Sequence, residues 1–141
     1  MIIGSISENK ELEKRISITP DIAKKYISNG IEVFIEKDFG LHLGISDNEF
    51  IKEGCKIEDK ENILKKADVI LQLNLPNEDT FQSFKENSIL IGSFNTNKNE
   101  EKIKRLKLQK ISIFSLELLP RITRAQSMDI LSSQANLAGY K

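Results

Sequence analysis

The sequence predicts an α/β fold: an open, mainly parallel five-stranded sheet with helices on both faces, flavodoxin-like or Rossmann-like, without a Gly-rich fingerprint. Three observations predict it. Short apolar runs alternate with stretches of helical spacing from one end of the chain to the other. No Pro/Gly/Ser-rich linker, internal repeat or low-complexity tract divides the 141 residues, so one domain with a real core is expected. Apolar residues make up 39% and charged residues 30%, a balance that suits a soluble globular chain.

The elements follow in order. Ile2 to Ile6 reads as a first strand. Thr19 is a cap and Pro20 suits the first turn of a helix in which Ile22, Ala23, Tyr26 and Ile27 recur at helical spacing, ended by Asn29-Gly30. Ile31 to Glu36, rich in branched and aromatic residues, is the second strand. Ser46-Asp47-Asn48-Glu49 opens a short helix reaching Gly54, and Asp59 to Lys66 is a further helix. Ala67 to Leu73 is the third strand, closed by Asn74-Leu75-Pro76. Asn77 caps a helix through Phe81 and Phe84, Ser88 to Phe94 is the fourth strand, and Asn99 to Lys110 is a charged helix. Ile111 to Leu116 is the fifth strand, and a last helix begins near Thr123. In such a sheet ligands gather at the carboxyl ends of the strands, near the switch in strand order, so the loops after strands are the places to search.

Several function classes are excluded or disfavoured. Lys+Arg and Asp+Glu both number 21, so no global charge draws the chain to nucleic acid or an anionic membrane. No apolar run approaches the ~20 residues of a membrane span, and Met1-Ile2-Ile3-Gly4-Ser5 lacks the basic-then-apolar pattern of a secretory signal. The single cysteine, Cys55, fits a reducing cytoplasm, and one Cys with one His offers no zinc spacing, so no metal site is expected. Cys55 reads best as a buried free thiol and His42 as a packing or surface residue. The basic stretch Lys102 to Lys110 follows Glu100-Glu101 and reads as an amphipathic helix with a solvated face.

Two places carry chemistry. Arg15, in the loop after the first strand, could clamp a carboxylate, although a surface arginine paired with a nearby Glu is the better reading of its spacing. After the fifth strand, Arg121, Gln126 and Asp129 crowd a short polar segment. An Arg can hold a phosphate, a Gln can donate and accept, and an Asp can fix the Arg or accept from a ribose hydroxyl. Spacing alone leaves this segment open between a ligand loop and a capped helix start.

The motifs point further. Glu8…Glu13-Lys14-Arg15-Ile16-Ser17-Ile18-Thr19-Pro20, then Asn29-Gly30-Ile31-Glu32-Val33…Glu36…Gly40, then Ala67-Asp68-Val69-Ile70-Leu71 with Pro76, resemble the N-terminal domain shared by alanine dehydrogenase and the alpha subunit of proton-translocating NAD(P) transhydrogenase. Pro120-Arg121-Ile122-Thr123-Arg124-Ala125-Gln126-Ser127-Met128-Asp129 resembles the transhydrogenase signature loop. Where the dehydrogenase pattern has a substrate-binding lysine and a catalytic histidine, this chain has Asn74 and Phe94-Asn95-Thr96-Asn97, which favours the transhydrogenase side. Gln72 stands where a lysine is expected.

The resemblance implies a single N-terminal domain over 1–141, cut before a NAD-binding Rossmann domain; Ala135 to Lys141 carries no helix stop signal. It implies an enzyme component, inactive by itself, of an assembly that passes hydride directly between NAD(H) and NADP(H), coupled to proton translocation. Arg121, Gln126 and Asp129 would be the catalytic loop, with Ser132 and Tyr140 beside the nicotinamide. NAD(H) would bind together with the second domain and NADP(H) on a partner component. The implied partners are the NADP(H)-binding and membrane-embedded components, and a second copy as a homodimer when complete. The implied location is cytoplasmic, peripheral to the inner membrane. The alternatives are an alanine dehydrogenase-type oxidoreductase using Arg15, and a non-catalytic flavodoxin-like binding module.

Overall fold

The computed structural model describes residues 1–11 and 13–116. Six strands form one sheet: β1 (Ile2–Ser5), β2 (Glu32–Glu36), β3 (Lys56–Glu58), β4 (Val69–Leu71), β5 (Ile89–Gly92) and β6 (Ser112–Ser115). Their order is β3-β2-β1-β4-β5-β6, and every neighbouring pair is parallel. This is the doubly wound order that reverses direction between β1 and β4. The five expected strands stand in the flavodoxin-like order. The added edge strand β3 is the correction to the expected count. Its sequence, Lys56-Ile57-Glu58, is short and charged, as a sheet edge favours, and carries almost no periodic signal. Pairing selects it: Lys56 lies beside Phe34 in register, with its ammonium 5.7 Å from the ring centroid and 3.2 Å from Glu32.

Helices α1 (Pro20–Ser28), α2 (Asp47–Lys52), α3 (Lys60–Lys66) and α4 (Glu100–Leu108) join the strands. Thr19 caps α1 by accepting from the Ile22 N–H at 3.3 Å, and Gly30, at φ 83°, turns the chain out of it. Ser46 N–H donates to Glu49 at the head of α2, and Asp59 accepts from Asn62 N–H at the head of α3. The segment expected as a helix from Asn77 is a 3-10 helix, Glu78–Ser83, and the Asn77 side chain makes no capping bond. Phe81 and Phe84 explain it. Three residues apart, they share one side of a three-residue turn and pack edge to face at 6.3 Å. Leu41–Leu43 is a second 3-10 turn that the sequence pattern does not announce.

Two apolar layers sandwich the sheet. One joins α3, α4 and the Phe81–Phe84 pair to Ile6, Phe34, Ile70 and Leu90. The other joins Ile22, Ala23, Tyr26 and Ile27 of α1 and Phe50 of α2 to Ile3, Val33, Ile35 and Leu71. Alternation along each strand sends neighbouring residues to opposite layers, so both faces of the parallel sheet carry branched side chains. As expected, Cys55 is a buried free thiol, and α4 shows its charged residues to solvent while Ile103 and Leu106 enter the core.

Candidate functional site

The strands part between β1 and β4, and a cleft of about 570 Å³ opens at their carboxyl ends. Its wall comes from the loop after β1 (Ser7, Glu8, Asn9, Glu13), the loop after β4 (Asn74, Leu75, Pro76, Asn77) and the loop after β5 (Ser93, Phe94, Asn95, Asn99). Lys60 and Lys102 also line it. Ligands of doubly wound sheets collect at this switch point because two loops diverge there and expose their backbone groups.

One buried side chain holds the parting strands together. Gln72, 1% exposed, lies one residue past β4. Its main-chain N–H donates to Ile91 of β5, as the sheet requires. Its side-chain amide faces β1 instead, where Oε1 accepts from Ile6 N–H at 2.8 Å and Nε2 donates to the Ile6 carbonyl at 3.0 Å. The amide thus continues the β1–β4 ladder one step beyond where the backbones can reach each other. Its second Nε2 hydrogen goes to Glu8 Oε2 at 2.7 Å, so every polar position of the side chain is used. Below it, the Ser5 hydroxyl donates to the Leu71 carbonyl and accepts from Ser17.

Glu8 is the other centre of the cleft. Besides the Gln72 bond, Oε2 accepts from Leu73 N–H at 2.9 Å and Oε1 from Asn74 N–H at 3.2 Å. Burial raises its carboxyl from an ordinary 4.5 to about 7, against the pull of those N–H donors and with a small push from Glu13. Glu13 behaves oppositely. Arg15 grips it with two bonds, Nε to Oε1 and Nη2 to Oε2, both 2.9 Å, and lowers its carboxyl to about 2. Asn74 Nδ2 adds a bond to Glu13 at 3.2 Å.

These shifts give a pH dependence with a definite sign. The raised Glu8 value means that its stability contribution is full below about 4.5 and is lost as pH rises through about 7. Glu13 contributes above 4.5 and loses that contribution only as pH falls through about 2. The urea midpoint of the native chain is therefore expected to fall between pH 5 and pH 8, by up to roughly 3 kcal/mol in stability. Glu8→Gln should flatten that slope; an equally steep slope in the variant would assign it to other groups.

Arg15 lies where the sequence placed it, after β1, and the pairing reading of its spacing holds: its guanidinium is engaged by Glu13. A substrate carboxylate would have to displace that pair. His42 is exposed, with Nε2 2.6 Å from the Lys14 carbonyl oxygen, and is not among the residues lining the cleft. Asn95, held in the left-handed region at φ 49°, lines the cleft from the loop after β5, a loop fixed by Phe94 N–H to Ser115 and by Asn99 Nδ2 to the Phe94 carbonyl. Arg121, Gln126, Asp129, Ser132 and Tyr140 lie outside the described residues. In the sequence, Glu8 stands out only within a motif, and Gln72 departs from a pattern without showing a role. The available signal is a polar residue interrupting the apolar run Val69-Ile70-Leu71-Gln72-Leu73.

The chain's residues 4–138 match the family described as alanine dehydrogenase/PNT, N-terminal domain. The chain belongs to that family. It is 37% identical over its whole length to a NAD(P) transhydrogenase subunit alpha chain of Rickettsia prowazekii, of which it covers 38%. It is 33% identical to NAD(P) transhydrogenase subunit alpha of Haemophilus influenzae, covering 27% of that protein. The crystal structure of transhydrogenase from Sinorhizobium meliloti superposes with a TM-score of 0.87 at 37% identity, over 99% of this chain and 42% of that one. The chain therefore spans well under half the length of these relatives. Their names agree with the transhydrogenase side of the resemblance, and the family's α/β domain is the fold described above.

The cleft's donor set fits one end of a nicotinamide nucleotide. Asn74, Asn77, Asn95 and Asn99 offer amides and Ser7, Ser93 and Thr80 offer hydroxyls, suited to a carboxamide or a ribose. The turn after β1 reads Ser7-Glu8-Asn9, with no glycine to let the backbone approach a diphosphate, so the described residues do not form a phosphate cradle.

Proposed function

We propose that this chain is the N-terminal domain of the NAD(H)-binding component of a proton-translocating transhydrogenase, in which hydride passes directly between NAD(H) and NADP(H). The observation that carries this reading is the cleft, whose described lining is rich in amides suited to a carboxamide or a ribose. Direct hydride transfer needs two nicotinamides held close and aligned, so positioning is the main contribution of the protein.

In this reading NAD(H) supplies the hydride and binds between this domain and a second, Gly-rich one. Gln126 orients the nicotinamide or ribose, Arg121 and Asp129 hold the loop and the cofactor, and Ser132 and Tyr140 sit beside the ring. NADP(H) belongs to a partner component, and a membrane-embedded component couples the transfer to protons. A homodimer of the complete subunit and a location at the inner membrane through these partners belong to the same proposal. Among the described residues no helix is long and apolar enough to cross a membrane.

The test uses the complete assembly. Gln126→Ala and Asp129→Asn are expected to slow single-turnover hydride transfer by roughly tenfold or more while changing NADH affinity less. Unchanged single-turnover rates in both variants would refute the roles assigned to this loop. Reductive amination of pyruvate by the complete protein would move the assignment to the alanine dehydrogenase side.

A further inference from the structure

Two cations line the cleft with no acid to answer them. Lys60 and Lys102 both belong to its wall and both are half-buried. Neither makes an ion pair with a described residue. Of the two carboxyls in the same wall, Glu13 is gripped by Arg15, and burial pushes Glu8 up to about 7. Asp59, next to Lys60, is engaged by the Asn62 N–H. Glu61, Glu100 and Glu101 are exposed and stand outside the wall.

Helix stability gives no reason for either lysine. Lys60 is the first residue of α3 and Lys102 the third of α4. A cation in a first turn faces the positive end of the helix dipole and is disfavoured there. The fold, however, brings the two together. α3 and α4 pack in one layer on one face of the sheet. Each follows a parallel strand, β3 or β5, and so starts at the carboxyl edge. The segment from Glu78 to Lys85 runs between them: Lys85 N–H donates to the Leu64 carbonyl of α3, and Glu78 takes Arg105 of α4 at 2.9 Å. The lysines thus reach the cleft from two helices, with Asn77 and Thr80 of the wall between those helices.

We propose that Lys60 and Lys102 together form a phosphate subsite of the cleft, taking the phosphate of a ribose phosphate whose sugar meets the neighbouring amides. A lysine binds as a point charge, whereas the fork of an arginine matches a planar carboxylate. A tetrahedral phosphate presents oxygens on all sides and can be met by two ammonium groups arriving from different helices. Asn77 and Asn95 offer amides to the attached sugar from the same wall. The contact is made by side chains to a single phosphate, so it does not need the glycine turn of a diphosphate cradle. The sugar rests on the nucleotide reading above; the phosphate contact does not.

Titration of the full chain, followed by NMR amide shifts, tests it with three probes: inorganic phosphate, nicotinamide mononucleotide and nicotinamide riboside. Phosphate and the mononucleotide are expected to shift amides around Lys60 and Lys102, and the riboside to bind about fivefold or more weakly than the mononucleotide. Lys60→Gln and Lys102→Gln should each weaken the mononucleotide roughly threefold to tenfold and leave the riboside unchanged. Each variant removes a cation from a first turn, so its thermal midpoint should hold or rise. Equal binding of mononucleotide and riboside would sink the subsite and leave the nucleotide reading standing. Phosphate binding that is lost in both variants, with no gain from the sugar, would keep the subsite and take the nucleotide away from it. Native-like mononucleotide affinity in both variants, or no response to any phosphate probe, would overturn the proposal.

Discussion

Gln72→Leu is expected to destabilise the fold by about 3–5 kcal/mol, more than any surface substitution around the cleft. Leucine has nearly the volume of glutamine, so packing changes little. What is lost is the amide's double bond to Ile6, which leaves a buried N–H and a buried carbonyl with no partner at the carboxyl end of β1. Glu8 loses its Nε2 donor at the same time and must bury its carboxyl with two backbone partners. Gln72→Lys makes the cause visible. A lysine can donate to Glu8 and to the Ile6 carbonyl but cannot accept from Ile6 N–H, so it should recover part of the loss. Its charge should also pull the Glu8 carboxyl down and reverse the fall in stability between pH 5 and pH 8. Urea unfolding of the three proteins at both pH values checks this. Equal stability of Gln72→Leu and the native chain would mean that water or backbone movement satisfies Ile6.

Gly92→Ala is expected to cost about 3 kcal/mol or more, or to prevent folding, although it adds one methyl group. A Cβ there would overlap the Gln72 carbonyl oxygen and the ring of Phe94, which is itself 1% exposed. The carbonyl is backbone, pinned between strands, and cannot swing aside as a side-chain end could. Gly30→Ala is the control: its φ of 83° makes a side chain unfavourable, but nothing lies within 4 Å, so only about 1 kcal/mol of backbone strain is expected. Thermal unfolding separates the two. Similar losses at both positions would show that the β4–β5 edge yields more easily than its packing suggests.

Both substitutions sit where β4 and β5 end, within reach of the cleft. They also show what a linear reading can and cannot see. The apolar runs at Ile2, Ile31, Val69, Ser88 and Ile111 announce five strands because a buried parallel strand is branched and apolar along its length. Thr19-Pro20 announces the start of α1 because an N-cap hydroxyl and a proline at the first turn act within three residues of each other. The Arg15–Glu13 pair is likewise a local matter, two residues apart. β3 escapes, since Lys56-Ile57-Glu58 is extended by virtue of pairing with β2 and carries little preference of its own. The turn through Phe81 and Phe84 reads as an ordinary helix in sequence because residues three apart share a face in both forms. Packing with Leu64 and Leu106 in one core layer chooses the tighter one.

What the sequence by itself determined is whatever depends on neighbours along the chain: the alternation of strand and helix, the caps, the local ion pair, and the motifs that carry the family resemblance. What only the tertiary structure decided is the chemistry of the switch point. Glu8 and Gln72 stand 64 positions apart, and neither shows by its own surroundings that it will be buried against the other. Folding brings the ends of β1 and β4 together and then separates them, and the groups left without a ladder partner must find side chains. That geometric need sets the role of Gln72, moves the Glu8 carboxyl to about 7, and shapes the cleft around them.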